Sequence, residues 1–166
     1  MKNNKGFTLV ELIVVIAIMA IIAGVSSSTI SIISKQELKD FTNNLDAMLC
    51  QCKVETMSGM TDPVLEISIE DDEYRATLYE MALQNDGSRV KQVVKSQYLG
   101  EDYLKCSYVK EGSAVNYTGN GVISFKYNRN TGELVDKTIT KVSVSDKTGT
   151  FSIEFVPQTG YHKIIR

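Results

Sequence analysis

Residues 6–34 read GFTLVELIVVIAIMAIIAGVSSSTISIIS. From Phe7 to Ser34 there are 28 residues with one charge, Glu11, and the 23 residues from Leu12 to Ser34 carry none. About 20 helical residues, at 1.5 Å each, cross a hydrocarbon core about 30 Å thick, so the run is long enough to span a membrane. Lys2 and Lys5 precede it in MKNNKG, which favours a cytoplasmic N-terminus and export of the C-terminal part of the chain. Generic explanations fit less well. A secretory signal peptide could be cut around 24–28, but an acidic residue inside its apolar stretch is out of character. A plain anchor leaves Glu11 as an unexplained cost, on the order of 2.5–3.5 kcal/mol at the centre of a membrane helix and less near an end. A buried core helix would be unusually long and uniformly apolar.

The rest of the chain is polar and ordinary. Of 166 residues, 43% are hydrophobic and 23% charged, with 18 basic and 20 acidic side chains for a net charge of -2. That length makes one domain with a core. No block of five or six basic residues occurs, so the electrostatic footprint of a nucleic-acid binder is absent. Three cysteines are too few for a disulfide scaffold. One of Cys50 and Cys52 can pair with Cys106 if the chain is exported to an oxidising compartment. The alternative is that they are small buried hydrophobes.

Residues 35–59, KQELKDFTNNLDAMLCQCKVETMSG, continue the helix as an amphipathic one. Leu38, Phe41, Leu45, Met48, Leu49, Cys52 and Met57 recur at steps of about three and four, with Lys35, Glu37, Lys39, Asp40 and Asp46 opposite. Gly59 is placed to cap its C-terminus. If continuous over residues 7–58, the helix is about 78 Å long. Gly24 and the cluster Ser26, Ser27, Ser28 and Thr29 are its softest point. Beyond Gly59 the period changes to two. Residues 64–70 place Leu65, Ile67 and Ile69 on one face; Asp71-Asp72-Glu73 reads as a turn, and Tyr74, Ala76 and Leu78 face together after it. Asn85-Asp86-Gly87 is a turn signal. Residues 89–99 fit either a strand or a short helix, through Val90, Val93, Val94 and Tyr98. Further strands are expected at 101–109, 121–127, 139–144, 151–156 and 161–165, with turns at 128–132 and 147–149. The fold class is therefore α+β: a long N-terminal helix, one half for membrane and one amphipathic, packed on a mainly antiparallel sheet.

The segment KGFTLVELIVVIAIMAIIAG resembles the N-terminal signature of type IV pilin precursors and of the pseudopilins of type II secretion and DNA-uptake machines. The resemblance implies a pilin-like architecture of four parts: a cleaved leader at 1–6, a transmembrane and filament-core helix at 7–34, its amphipathic continuation at 35–59, and an extracytoplasmic β domain at 60–166. It implies cleavage by a prepilin peptidase between Gly6 and Phe7 and N-methylation of Phe7, with Lys2 and Lys5 as the leader charges. Glu11 then becomes the fifth mature residue. An α-amino group at Phe7, with a reference pKa of about 7.7–8.0, is largely protonated at neutral pH. Four residues separate it from Glu11, so the two share a helix face. Glu11 can neutralise its own amine, accept from a neighbouring subunit's amine and so set the register of an apolar interface, or simply reach the headgroups. Major pilins often carry proline where this chain has Ser28, which leans the resemblance toward a minor subunit. GVISFKYNRNTGEL at 121–134 and ITKVSVSDKTGTFSIEFVPQTGY at 139–161, ending in Thr159-Gly160, resemble the close of the H-type pseudopilin and related minor pilin domains.

No pattern argues for an enzyme. His162 is the only histidine and has no Cys, Asp or Glu at ligand spacing in the sequence, so it reads as an ordinary surface or half-buried residue and no metal is expected. Cys50 and Cys52 fall short of the four ligands of a structural zinc site. Nucleophile elbow, Walker A and dinucleotide loop are all missing. The acidic run at 70–73 does not have calcium-loop spacing and reads as a solvated turn. The tyrosines read as half-buried sheet residues. The expectation is a non-catalytic structural subunit, a minor pilin or pseudopilin, with no cofactor. Its partners would be the prepilin peptidase and methylase, other pilin subunits, an inner-membrane platform with a motor ATPase, and membrane lipid. Nucleic acid would join them only in a DNA-uptake system. The chain would cross the membrane once, C-terminal domain outside, before entering a surface or periplasmic filament. The rival readings are a filament-tip module that binds exported substrate or DNA, and an anchored or secreted protein unrelated to pili.

Overall fold

The computed structural model describes residues 8–166 apart from 60, 85–87, 118 and 120, and leaves aside the side chains of residues 25–32, 83 and 89. The leader residues Lys2, Lys5, Gly6 and Phe7 and the turn at 85–87 lie outside the described residues. One helix, α1 (Leu9–Ser58), runs 50 residues, which is about 75 Å. Its start is a capping box. The Thr8 hydroxyl accepts from the Glu11 N–H (3.3 Å), while Glu11 Oε2 accepts from the Thr8 N–H (2.8 Å) and the Thr8 hydroxyl (2.9 Å). It ends at Gly59, whose φ of 75° is the left-handed geometry that favours glycine and whose N–H reaches the Thr56 carbonyl.

The second half of α1 buries the face expected of it. Leu38, Phe41, Leu45, Met48, Leu49 and Cys52 are all at most 1% exposed. Met57 is not part of that face: it is half exposed, and Thr56 is buried in its place. Cys52 to Met57 is five residues, about 140° beyond a full turn, so the stripe has rotated away by then. Two buried threonines keep their hydroxyls satisfied by bonding back one turn, Thr42 to the Leu38 carbonyl (2.7 Å) and Thr56 to the Cys52 carbonyl (2.8 Å).

Nine strands come after the helix among the described residues, all antiparallel, and they form two sheets where the sequence suggested one. Strands β1 (Val64–Glu70), β2 (Glu73–Leu83), β3 (Arg89–Glu101) and β6 (Ile123–Lys126) give the order β3-β2-β1-β6. Strands β4 (Lys105–Lys110), β5 (Ser113–Asn116), β7 (Ile139–Asp146), β8 (Gly149–Val156) and β9 (Tyr161–Ile165) give β5-β4-β7-β8-β9. Residues 89–99 are thus strand, and the candidate at 101–109 begins only at Lys105. Both sheets meet α1 over one core. Leu65, Ile67, Ala76 and Leu78 close on it from the first sheet, and Cys106, Val142, Val144 and Ile153 from the second. Phe41 of α1 sets its ring edge-on to Tyr74 at 5.6 Å, and Phe125 stacks on Phe155 at 5.3 Å, joining the sheets.

Candidate functional site

Two regions carry chemistry that the core does not need. The first is the start of α1. Every large apolar side chain described from Leu9 to Ile22 is at least half exposed, whereas the helix beyond Leu38 is packed. A contiguous apolar surface of this kind marks a lipid or protein contact. Glu11 sits among these side chains, and its carboxylate is held by Thr8 alone among the bonds described. No helix among the described residues is long and apolar enough to cross a membrane; the described side chains of the apolar run stop at Gly24 and resume at Ile33. The cleavage and methylation positions Gly6 and Phe7, and with them the spacing from an amine to Glu11, lie outside the described residues.

The second region lies on the packed half of α1. Asp46 and Cys50, one helical turn apart, face His162, the second residue of β9. His162 pairs across the strands with Phe155 of β8, and its ring leans on the Phe155 ring at 5.8 Å. Its side chain is 5% exposed. This departs from the expectation of an isolated, ordinary histidine, since an acid and a thiol are brought to it by the fold. Nε2 lies 3.3 Å from Asp46 Oδ1 and 3.6 Å from Cys50 Sγ, while Nδ1 is buried without a hydrogen-bond partner among the described residues. Both groups address the same ring nitrogen, so the trio lacks the relay of nucleophile, base and orienting acid, which uses opposite nitrogens. Burial, with the Asp46 charge added, pushes the Cys50 thiol upward, the wrong direction for a nucleophile.

The three cysteines are free thiols, and the structure joins neither Cys50 nor Cys52 to Cys106. Cys52 and Cys106 are core residues, each thiol pushed up to about 12 by burial. The acidic run after β1 is a tight turn, with Asp71 and Asp72 at φ 53° and 62° and both exposed. Tyrosines divide: Tyr74, Tyr117 and Tyr127 are buried, whereas Tyr98, Tyr103 and Tyr161 are exposed. Sequence reasoning missed the Asp46–Cys50–His162 meeting. Its local half was visible as an acid and a thiol four residues apart on a helix; its histidine comes from the other end of the chain.

Among known proteins, residues 1–27 match the model of the prokaryotic N-terminal methylation motif, which is the prepilin signature of type IV pilins and pseudopilins. No curated protein and no solved structure matches the chain.

Proposed function

We propose that this chain, which opens on the prepilin signature, is a minor pilin or pseudopilin: a non-catalytic subunit of a type IV pilus-like filament or of a secretion or DNA-uptake pseudopilus. The observation that carries the reading is a glutamate at the fifth position of the would-be mature chain, on an apolar helix whose described large apolar side chains from Leu9 to Ile22 are uncovered while its second half is built into a β domain. In this reading residues 7–34 hold the precursor in the membrane with the domain at 60–166 outside it. Cleavage after Gly6 removes Lys2 and Lys5, leaving 16 basic against 20 acidic side chains. A motor and platform in the inner membrane then lift the subunit out, and the uncovered apolar face exchanges lipid for neighbouring helices.

In the uncleaved chain Glu11 already has a partner in Thr8. Cleavage places an ammonium four residues before it, a donor that carries a full charge where Thr8 offers the carboxylate only neutral donors. Glu11 then gains a partner worth leaving Thr8 for, and in a stack of helices that partner belongs to the neighbour. An unpaired charge in a dry interface is costly, so only the registers that bring the two together are populated.

The test is mass spectrometry of the protein recovered from cells holding its natural assembly machinery. A mature chain that begins with methylated Phe7 is expected. A terminus near Ser26, or an intact Met1, would overturn the assignment.

A further inference from the structure

We propose that Asp46, Cys50 and His162 form a binding site for one divalent ion of borderline softness, zinc by its chemistry, which clips the last strand to the long helix. The three side chains offer one oxygen, one sulfur and one nitrogen, and their ligand atoms all lie within 4.8 Å of one another. Zinc bonds of about 2.0–2.3 Å at tetrahedral angles put neighbouring ligand atoms about 3.4–3.6 Å apart. The two distances from His162 Nε2, 3.3 Å to Asp46 Oδ1 and 3.6 Å to Cys50 Sγ, already have those lengths. The third separation, between Asp46 and Cys50, is at most 4.8 Å, so an ion completes three corners of a tetrahedron by drawing those two side chains together.

The surroundings supply preorganisation. The His162 side chain is 5% exposed and wedged against Phe155, so its ring is held in place and Nε2 is the nitrogen that meets the other two groups. Asp46 and Cys50 are fixed by the packed half of α1, each directly following a fully buried leucine, Leu45 and Leu49. On the outer side Cys50 is exposed and Asp46 about a third exposed, which gives an ion an entry path and leaves the fourth position to water. Binding releases the Cys50 proton to solvent, and the resulting thiolate and the Asp46 carboxylate balance the two positive charges. Calcium and magnesium are poor fits, since they call for six or more oxygens.

The ion has a mechanical consequence. Among the described residues β9 is an edge strand, paired to β8 alone. Lys53 of α1 donates to the Thr159 and Gly160 carbonyls just before it, at 3.0 and 3.2 Å. A metal on Asp46, Cys50 and His162 adds a second tie two residues further on. The site does not depend on the chain entering a filament.

The experiment uses the full chain in detergent micelles, stripped with chelator and titrated with cobalt(II) as a spectroscopic stand-in for zinc. One equivalent is expected to bind with a thiolate-to-cobalt charge-transfer band, to be displaced by zinc, and to survive excess calcium or magnesium. Cys50→Ser should abolish the band. Asp46→Asn and His162→Gln should each weaken binding at least about 10–100-fold, the scale on which even a ligand's outer partners act. Circular dichroism establishes folding for each variant; if His162→Gln does not fold, the two helix variants decide. A wild-type chain without the band, a band that persists in Cys50→Ser, or displacement of cobalt by calcium would each overturn the site.

Discussion

Replacing Gly160 by alanine tests whether the turn before the last strand is a built joint or an ordinary loop. Gly160 has φ 60°, and a Cβ there would run into the Gly132 carbonyl oxygen and crowd the Tyr127 ring at 3.1 Å. Gly59 provides the control, with φ 75° and open space around its would-be Cβ. Both substitutions carry the left-handed cost of an L-residue, roughly 1–2 kcal/mol. Both recover about 0.4–1 kcal/mol from a stiffer unfolded chain. Gly59→Ala should therefore destabilise by about 0–1.6 kcal/mol. Gly160→Ala adds overpacking against backbone that cannot rotate aside, about 1–3 kcal/mol more, for a total of about 1–4.6 kcal/mol. Urea unfolding of the full chain in detergent, followed by near-ultraviolet circular dichroism, gives both values on one scale. Equal losses for the two variants would refute the close approach of Gly160 to Gly132. The carbonyls of Thr159 and Gly160 that hold Lys53 would then be an incidental contact.

Three further outcomes are expected. Glu11→Ala should leave the urea midpoint of the β domain unchanged, because Glu11 contacts Thr8 and nothing in the core, yet should abolish incorporation into filaments; normal incorporation would reduce Glu11 to a capping residue. Maleimide labelling of the metal-stripped native chain should modify Cys50 alone and reach three thiols only after unfolding, since Cys52 and Cys106 are buried; counting two or more in the native state would contradict the core. The side-chain and backbone hydrogen bonds from Thr138 hold the Asp136 carboxyl below its usual range. A depressed native value means stability present above the unfolded pKa, about 3.9, and lost as pH falls through the native one. Asp136→Asn should flatten the stability profile between pH 4 and pH 2, roughly that window, and an unchanged slope would remove Asp136 from the account.

The long helix was legible because its signals are local and redundant. Six core residues on one face and Gly59 at the end say the same thing, while the capping box of Thr8 and Glu11 went unread although it too is local. The strand at Arg89–Glu101 was ambiguous for a physical reason. Leu78 and Tyr79 pair with Lys95 and Val93, so Val94 is the extra residue of a bulge, and a second skip between Tyr74 and Arg75 bulges out Leu99. Bulges break the two-residue alternation and leave Val90, Val93, Val94 and Tyr98 at spacings that imitate a helix. β5 was missed because its four residues, Ser113 to Asn116, are all exposed and show no pattern. The division into two sheets was not legible, since alternation identifies an inward face but not the strand beside it. The meeting of Cys50 with His162 spans 112 residues, and no spacing rule reaches that far.

What joins these parts is a change of environment along one helix. From Leu38 onward its apolar residues form a stripe because only one side meets the sheets, and the other side keeps its charges. Before Ser34 the apolar residues go all round, so no single β domain could cover them, and the two halves cannot share a partner. In the proposed reading, a covering that surrounds the first half comes from lipid or from several other helices. Neither medium discriminates one axial position from another, because aliphatic contacts are non-directional. In such a surface a single carboxylate carries the directional information that Leu, Ile and Val lack. Thr8 absorbs that information within the chain; an ammonium on another subunit would export it. The Glu11→Gln variant separates the two roles, since the amide oxygen still caps the Thr8 N–H but cannot pair ionically. Filaments that form normally with glutamine there would place the register elsewhere on the helix.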